Sequence, residues 1–410
     1  MGNCDNIKEK GISEREETDA EDLKLSDFKK LYPIGKGGFG RVWKVLYKRT
    51  KKVYAMKEML KVKIFKKKSI QNVLNEIHIM ETLNNEQLTS GIKFAFQTNE
   101  SLYIITDYYP GGDLRYKMQK SKKKQFSEKE AKFIICNIIL SLVSLRKKNI
   151  IHKDLKPENL IFDRKGYLHL IDFGLAQVLS GHNLSEKKFV EKNKSGTFGY
   201  MAPEVLMHKP QSFQVDYFAL GLIAFELIFG KHPFLSHKTK NQKEIKEIIL
   251  RKEIKISVDD LPNNTVFANP SSFCDFVNRL LQRKKNLRLG YKDIQEIVQH
   301  PWLSDFDWEK LSSGEMKSPF ETDFYNENYD FEYSNQNEEI FDDDYYKVIK
   351  KINKEKLFNN FYYNIEKGKA LVDFQNANLP VKYQLNLLTL KNNVSLSSKV
   401  TTMKDSLNCA

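Results

Sequence analysis

Four side chains in two short stretches of this chain could together move a phosphoryl group. "HKDLKPEN" brings Asp154, Lys156 and Asn159 into one loop, and "DFG" adds Asp172 eighteen residues after Asp154. Two carboxylates, each at the end of a strand–turn element, suit a reaction in which one orients a hydroxyl and accepts its proton while the other holds Mg²⁺. Asn159 would help hold a second ion. Lys156 would neutralise charge on the moving group. Such a reaction asks little covalent chemistry of the protein, so positioning and electrostatics carry it.

The elements that must place these residues can be read next. "SEKEAKFIICNIILSLVSL" opens with a capping box, Ser127 to Glu130, and predicts a long apolar helix. Its apolar run, Phe133 to Leu145, is 13 residues, short of the roughly 20 a bilayer span needs, so it reads as a buried helix. A short strand leads into the loop, a turn follows at "DRKGY", and the strand "LHLI" delivers Asp172.

Upstream, "LYPIGKGGFGRVWKV" sets Gly35, Gly37 and Gly40 in a G-x-G-x-x-G pattern, with Lys36, Gly38 and Phe39 between them and Val42 after. Dinucleotide-binding folds share this pattern, but there a helix starts within the glycines. Here strand-like alternation flanks them and "VYAMKEM" continues as a further strand, which predicts a hairpin tip whose backbone N–H groups can approach phosphates. Lys57 lies in that strand. Nineteen residues on, Glu76 falls in "SIQNVLNEIHIMETL", where Ile70, Val73, Leu74, Ile77 and Met80 keep helical spacing. Glu76 then sits beside the apolar face, looking inward. A buried lysine needs a charge partner, and a Lys57–Glu76 pair that holds two phosphates meets the need.

Composition bounds the rest. The 410 residues carry 67 Lys+Arg against 53 Asp+Glu, a net charge of +14, which favours anionic partners without choosing among them. The basic stretches, Lys48 to Lys68 and Arg115 to Lys132, come with no nucleic-acid-binding motif, so no specific nucleic acid is expected. Cys4, Cys136, Cys274 and Cys409 form no CxxC pair, which argues against a zinc site or disulfide framework and for a reducing, cytoplasmic setting. "MGNC" places Gly2 where N-myristoylation requires it and Cys4 within reach of S-palmitoylation, though Asn6 departs from the Ser/Thr of the simple pattern. Two lipid chains would give peripheral membrane association where one binds only marginally.

Taken together and in order, "GKGGFGRV", "YAMK", "HKDLKPEN", "DFG" and "GTFGYMAPE" resemble the eukaryotic protein kinases. "DYFALG" with Asp216 and Gly221, "LRLG" with Arg288, and the closing "HPWL" extend the likeness over residues 28–303. Within that family the chain is similar to the AGC group and its YANK branch through "TKKVYAMKEM", "GGDLRYKM", "DIQEIVQHPWLSDFDWEKL" and a C-terminal tail. The resemblance implies an α+β bilobal protein kinase fold. A small antiparallel β-rich lobe with one helix (28–108) and a larger helical lobe (109–303) would hold ATP and Mg²⁺ between them. An AGC-like tail (304–365) would wrap back, between a flexible 1–27 and an unassigned 366–410. It implies Ser/Thr kinase activity on protein substrates by a monomer. Thr106 would be the gatekeeper, and Asp107 to Tyr109 the adenine edge. Ala55, Asp113, Glu158 and Leu160 would join the nucleotide site. Met80, Ile92, His152 and Phe173 match a stacked hydrophobic spine.

Further expectations follow from the resemblance. "FDDDYY" from Phe341 looks like the tail segment that approaches the nucleotide. "FNNFYY" looks like the motif that docks on the small lobe through Phe358 and Phe361, with Tyr362 where relatives carry a phosphorylatable Ser or Thr. Lys153 stands where relatives use Arg to grip an activation-loop phosphate, and lysine cannot reproduce that planar two-pronged contact. Asn193 stands where AGC relatives often carry the phosphorylated Thr, with Ser195 nearby. Both changes predict activity independent of that phosphate. Asp113, Glu158 and Glu226 match positions where basophilic relatives face substrate arginines, which predicts Ser/Thr acceptors in a basic context. The competing reading, an ATP-binding pseudokinase-like scaffold at a membrane, would require loss of Lys57, Asp154, Asn159 or Asp172, and none is lost.

Overall fold

Five alternating segments near the N-terminus pair into one antiparallel sheet: β1 (Phe28–Lys36), β2 (Gly40–Tyr47), β3 (Val53–Leu60), β4 (Phe94–Gln97) and β5 (Ser101–Asp107). The computed structural model describes residues 23–121, 124–179, 197–235, 241–320, 343–359, 361–367 and 369–370. One sheet face carries an aromatic cluster, with Phe28 stacked on Tyr47 at 4.9 Å and Phe96 on Tyr103 at 5.0 Å. The other faces a core that runs into the helical lobe.

Two helices, not one, belong to the small lobe: α1 (Lys61–Lys66) and α2 (Ile70–Thr82). In α1 the lysines conceal the signal. Val62 and Ile64 are buried, and so is Lys61, which lets a Lys-rich stretch fold as a packed turn and a half. In α2, Val73, Leu74, Ile77 and Met80 are buried with Glu76 among them, as the spacing predicts.

The large lobe is built around α4 (Glu128–Lys147) and α6 (Gln214–Phe229). Ser127 and Glu130 form the capping box, with the Ser127 N–H donating to Glu130 at 2.8 Å. Helix α6 is buried on every side until Phe229 and stops at Gly230, whose φ of +66° a side chain would resist. Helix α3 (Leu114–Lys120) precedes both, and between the two in sequence lie the short strands β6 (Ile150–Ile151), β7 (Leu160–Phe162), β8 (Leu168–Leu170) and β9 (Gln177–Val178), and α5 (Pro203–Leu206). Helices α7 (Gln242–Arg251), α8 (Pro270–Leu280), α9 (Gln295–Val298) and α10 (Trp308–Ser313) complete it. A buried two-pronged pair, Arg288 to Glu204 at 2.6 and 3.0 Å, ties α5 to the turn after α8.

Beyond 303 the chain first stays with the large lobe. Phe320 is buried against Phe126, Phe133 and Phe162. In the segment expected near the nucleotide, Asp343 to Tyr346 open helix α11 (Asp343–Lys354), which packs on α1, with Asp344 3.6 Å from Lys66. Acidic residues in its first turn and lysines in its last suit the helix dipole. Phe341 lies outside the described residues. Phe358 and Phe361 are buried on the small lobe, where Gln97 donates to the Phe358 carbonyl at 2.7 Å. Strand β10 (Tyr363–Asn364) then pairs with β4, and β11 (Lys369–Ala370) with β10, giving the sheet order β1-β2-β3-β5-β4-β10-β11. Tyr362 packs on the aromatic cluster with its hydroxyl buried.

Candidate active site

Strand β3 presents Lys57 and helix α2 presents Glu76 opposite it. The lysine Nζ donates to Glu76 Oε1 at 2.6 Å and to Asp172 Oδ1 at 3.1 Å. Residues separated by 19 and by 115 positions thus meet at one ammonium group. Burial alone would pull the Lys57 ammonium down, but the Asp172 and Glu76 carboxylates more than offset it and hold it above its ordinary range. The same Lys57 charge pulls the Asp172 carboxyl down to about 2. Burial raises the Glu76 carboxyl, and Lys57 opposes the rise. Asp172 sits at φ +62°, a conformation that costs a non-glycine residue energy and marks a position fixed by its surroundings.

Asp154 is held by four donors. Lys156 Nζ reaches Oδ2 at 2.7 Å and Asn159 Nδ2 reaches it at 3.2 Å. The Thr197 N–H and hydroxyl reach Oδ1 at 2.9 and 3.0 Å. Lys156 also donates to the Thr197 hydroxyl at 2.8 Å, which closes the ring. The loop itself is anchored from α6, where buried Asp216 accepts the N–H of His152 at 2.8 Å and of Lys153 at 2.9 Å. Lys153 has φ +68°, so Asp216 fixes the turn at its most strained point. His152 meets Phe173 edge-on at 5.3 Å, and both are fully buried with Met80 and Ile92 nearly so.

The glycine turn separates two kinds of need. A side chain at Gly40 would place its Cβ 1.9 Å from the Glu58 carbonyl oxygen, so the fold itself excludes one. Gly35, Gly37 and Gly38 meet nothing closer than 3.7 Å and none has positive φ. The fold does not require those three. Space above the turn does, which is what a cradle for phosphates needs. The turn is pinned by Gly37 N–H to Gly40 O at 2.8 Å and by Lys67, whose ammonium donates to Gly38 O at 2.7 Å and lies 5.2 Å from the Phe39 ring centroid.

Other predicted residues fall into three groups. Ala55 pairs with Thr106 across β3 and β5, Val42 with Lys57 across β2 and β3, and Lys36 with Arg41 across β1 and β2. Leu160 is buried at the start of β7. A second group has its side chains committed elsewhere: Asp107 to Lys93 at 3.1 Å, Tyr109 stacked on His169 at 4.3 Å, and Asp113 capping α3 through the Tyr116 N–H at 2.8 Å. The third is Glu158 and Glu226, which share Arg115 at 2.9 and 3.4 Å. Gly2, Cys4, Asn193 and Ser195 lie outside the described residues.

Sequence reasoning did not assign Thr197 to Asp154, although it lies inside "GTFGYMAPE". Nor did it assign Lys67 to the glycine turn or Arg115 to the two glutamates. Each is a long-range contact that spacing along one chain does not encode.

This arrangement fits Mg²⁺ with a nucleotide triphosphate. Among the described residues no group of three or more His, Cys, Asp or Glu side chains could hold a metal, and Mg²⁺ typically uses one or two protein oxygens with substrate phosphates and waters. Asp172 supplies a charged carboxylate. Asn159 turns its Nδ2 to Asp154 and receives no donor at Oδ1 among the described residues.

The family description "Protein kinase domain" matches residues 28–303. The chain belongs to the protein kinase family, and its relatives set it in the AGC group. It is 37% identical over 311 residues to Serine/threonine-protein kinase sgk-1 of Caenorhabditis elegans, covering 76% of this chain and 62% of that one. It is 36% identical over 298 residues to Serine/threonine-protein kinase SCH9 of Saccharomyces cerevisiae (72% and 34% covered). It is 35% identical over 298 residues to human Serine/threonine-protein kinase Sgk1 (72% and 65% covered). The chain thus spans less than two thirds of the length of each. The YANK likeness stands on the motif residues alone.

Proposed function

We propose that the chain transfers the γ-phosphoryl group of ATP to Ser and Thr hydroxyls of protein substrates. The observation that carries this reading is the convergence of Lys57, Glu76 and Asp172 beneath a glycine turn, beside an Asp154 held by Lys156, Asn159 and Thr197. Asp154 orients the acceptor hydroxyl and takes its proton. Lys156 sits 2.7 Å from that carboxylate, placed to offset charge on the moving group. Lys57 has three donors and spends two on carboxylates, leaving one for a phosphate oxygen. Asp172 and Asn159 would hold Mg²⁺, which would neutralise charge on the triphosphate. The unpaired acid at Glu158 and Glu226, two carboxylates against one Arg115, supports acceptors near basic residues.

Asp154 is secured by Lys156 and Thr197 without any phosphate, which supports activity independent of loop phosphorylation. Among the described residues no helix is long and apolar enough to cross a membrane. Membrane contact through lipid on Gly2 and Cys4 is part of the proposal, and intact-mass analysis of native protein showing only a removed Met or an acetyl group would contradict it. The function is tested by phosphate transfer from Mg·ATP to an arrayed Ser/Thr peptide library, using phosphatase-treated protein with Asp154→Asn as control. Activity on Arg- or Lys-flanked peptides is the expected result. Silence under every condition would overturn the reading in favour of a scaffold that binds nucleotide.

A further inference from the structure

Arg115, the second residue of α3, projects into an acidic recess beside the catalytic loop. Its Nε lies 2.9 Å from Glu158 Oε1, and its Nη1 and Nη2 lie 3.4 and 3.5 Å from the two Glu226 oxygens. Nη2 also donates to the Tyr200 hydroxyl, which in turn donates to Glu226. Burial and the Glu226 charge hold that hydroxyl well above its ordinary range, so it stays neutral. The recess therefore carries two carboxylates against one guanidinium, an excess of one negative charge.

Its location follows from chain continuity. Glu158 stands four residues after Asp154 in the same loop, and Tyr200 three residues after Thr197, which bonds Asp154. The recess therefore adjoins the carboxylate to which an acceptor hydroxyl must come. Its two acids differ in access. Glu226 has 5% of its side chain exposed and Glu158 43%, so an incoming cation meets Glu158 first. Removing the guanidinium would leave Glu226 buried with no cation, a costly state that a guest cation would relieve.

We propose that Arg115 is a specificity-determining residue, a resident cation in the pocket that would otherwise receive a basic side chain of the acceptor protein. A basic acceptor gains from the pocket only by displacing Arg115, and an acceptor without a basic residue is tolerated because the acids are already satisfied. This rests on the phosphoryl-transfer reading above and sharpens its substrate class.

The test uses the full chain and two Ser peptides, one Arg-rich and one with Ala in place of each Arg. The quantity read is the ratio of their kcat/KM values within each protein. Arg115→Gln should raise the Arg-to-Ala ratio about tenfold, the factor expected when one charge-assisted hydrogen bond is freed for the guest. Arg115→Lys should stay near the native ratio. Glu158→Gln, which alters only the exposed acid, should lower it, and does so even where Arg115→Gln fails to fold. A purely structural brace would lower both values together and leave the ratio unchanged, and that result overturns the proposal. Anisotropy of the labelled Arg-rich peptide separates the two claims. Tighter binding by Arg115→Gln with no transfer by any protein would sink the transfer reading and keep the pocket. Transfer with an unmoved ratio and unmoved binding would sink the pocket alone.

Discussion

Two cation–carboxylate clusters flank the catalytic loop, and they share a layout. Each has one buried acid, Glu76 or Glu226, at 4 and 5% exposure, and one half-exposed acid, Asp172 or Glu158, at 46 and 43%. Each shares a single cation between them. The cation makes the difference. Lys57 is a point charge with a donor to spare, beneath a glycine turn whose open space the fold does not need. Arg115 spreads its planar fork over both acids and the Tyr200 hydroxyl. The inner cluster can add an anion to what it holds. The outer one can only exchange its cation for another. Equal charge counts therefore imply opposite guests, and the geometry of the cation decides which.

Breaking the inner cluster should have the largest effect. Lys57→Met removes the one cation that Glu76 and Asp172 share among the described residues, and kcat/KM for Mg·ATP should fall about 10²–10³-fold, the usual loss for one electrostatic donor at a reacting centre. Stability should move with it. Without Lys57, the Glu76 carboxyl rises further, because burial is then unopposed. A carboxyl raised in the folded state adds stability below its ordinary range and loses it as pH climbs through the raised value. Lys57→Met should therefore melt closer to the native protein at pH 5 than at pH 8. Its deficit at pH 8 should be about 3 kcal/mol, as for other buried pairs stripped of one partner. An equal deficit at both pH values would show that Glu76 is not buried as described.

Another cation, this one buried, sharpens the comparison, because no acid pairs with it among the described residues. Lys61 lies in α1 with its ammonium 5.8 Å from the Phe358 ring and no carboxylate within ion-pair reach among the described residues. Burial pulls its ammonium down to about 8. Between that value and the ordinary one the unfolded chain binds more protons, so stability should rise with pH through this window. Lys61→Met should abolish the rise and lift the melting temperature at pH 7 by about 2–4 °C. Calorimetry across pH 7 to 10 checks both.

The smallest expected effect is that of salt. Glu158 is half-exposed, so added salt should screen the outer pocket and shrink the preference for Arg-rich peptides by a few fold between about 0.05 and 0.5 M. Lys57, Glu76 and Asp172 are exposed to the same degree as Arg115, Glu226 and Glu158, so the ion pairs of the inner cluster should be screened about equally. A preference for Arg-rich peptides unmoved by salt would mean that Glu158 is not the acid the acceptor meets.

Much of the inner cluster was legible in the sequence because local periodicity encodes it. The stripe Val73, Leu74, Ile77 and Met80 turns Glu76 toward the core, and the alternation around Lys57 puts it in a strand. Glycine spacing also located the turn, although only Gly40 is demanded by packing. The outer cluster was legible only in part, for the converse reason. Glu158 and Glu226 were legible as acids near the loop, but the residue that occupies them lies on a third element, α3. The helix α1 was hidden by its lysines, which read as solvated surface while Lys61, Val62 and Ile64 pack inward. The helix α11 was legible in principle, since Tyr345, Ile349 and Ile352 repeat at helical spacing, but its acidic start and aromatic pair resembled a nucleotide-facing segment instead.

The division of labour between Asp172, which holds, and Asp154, which transfers, is tested most directly by one paired measurement. Mg·ATP affinity, by calorimetric titration, and phosphate transfer to a Ser peptide are compared for the native chain, Asp172→Asn and Asp154→Asn. Asp154→Asn should bind Mg·ATP within a few fold of the native chain and lose transfer by about 10²–10⁴-fold, while Asp172→Asn loses both. Native-like transfer by Asp154→Asn, or undiminished Mg·ATP binding and transfer by Asp172→Asn, would contradict the account.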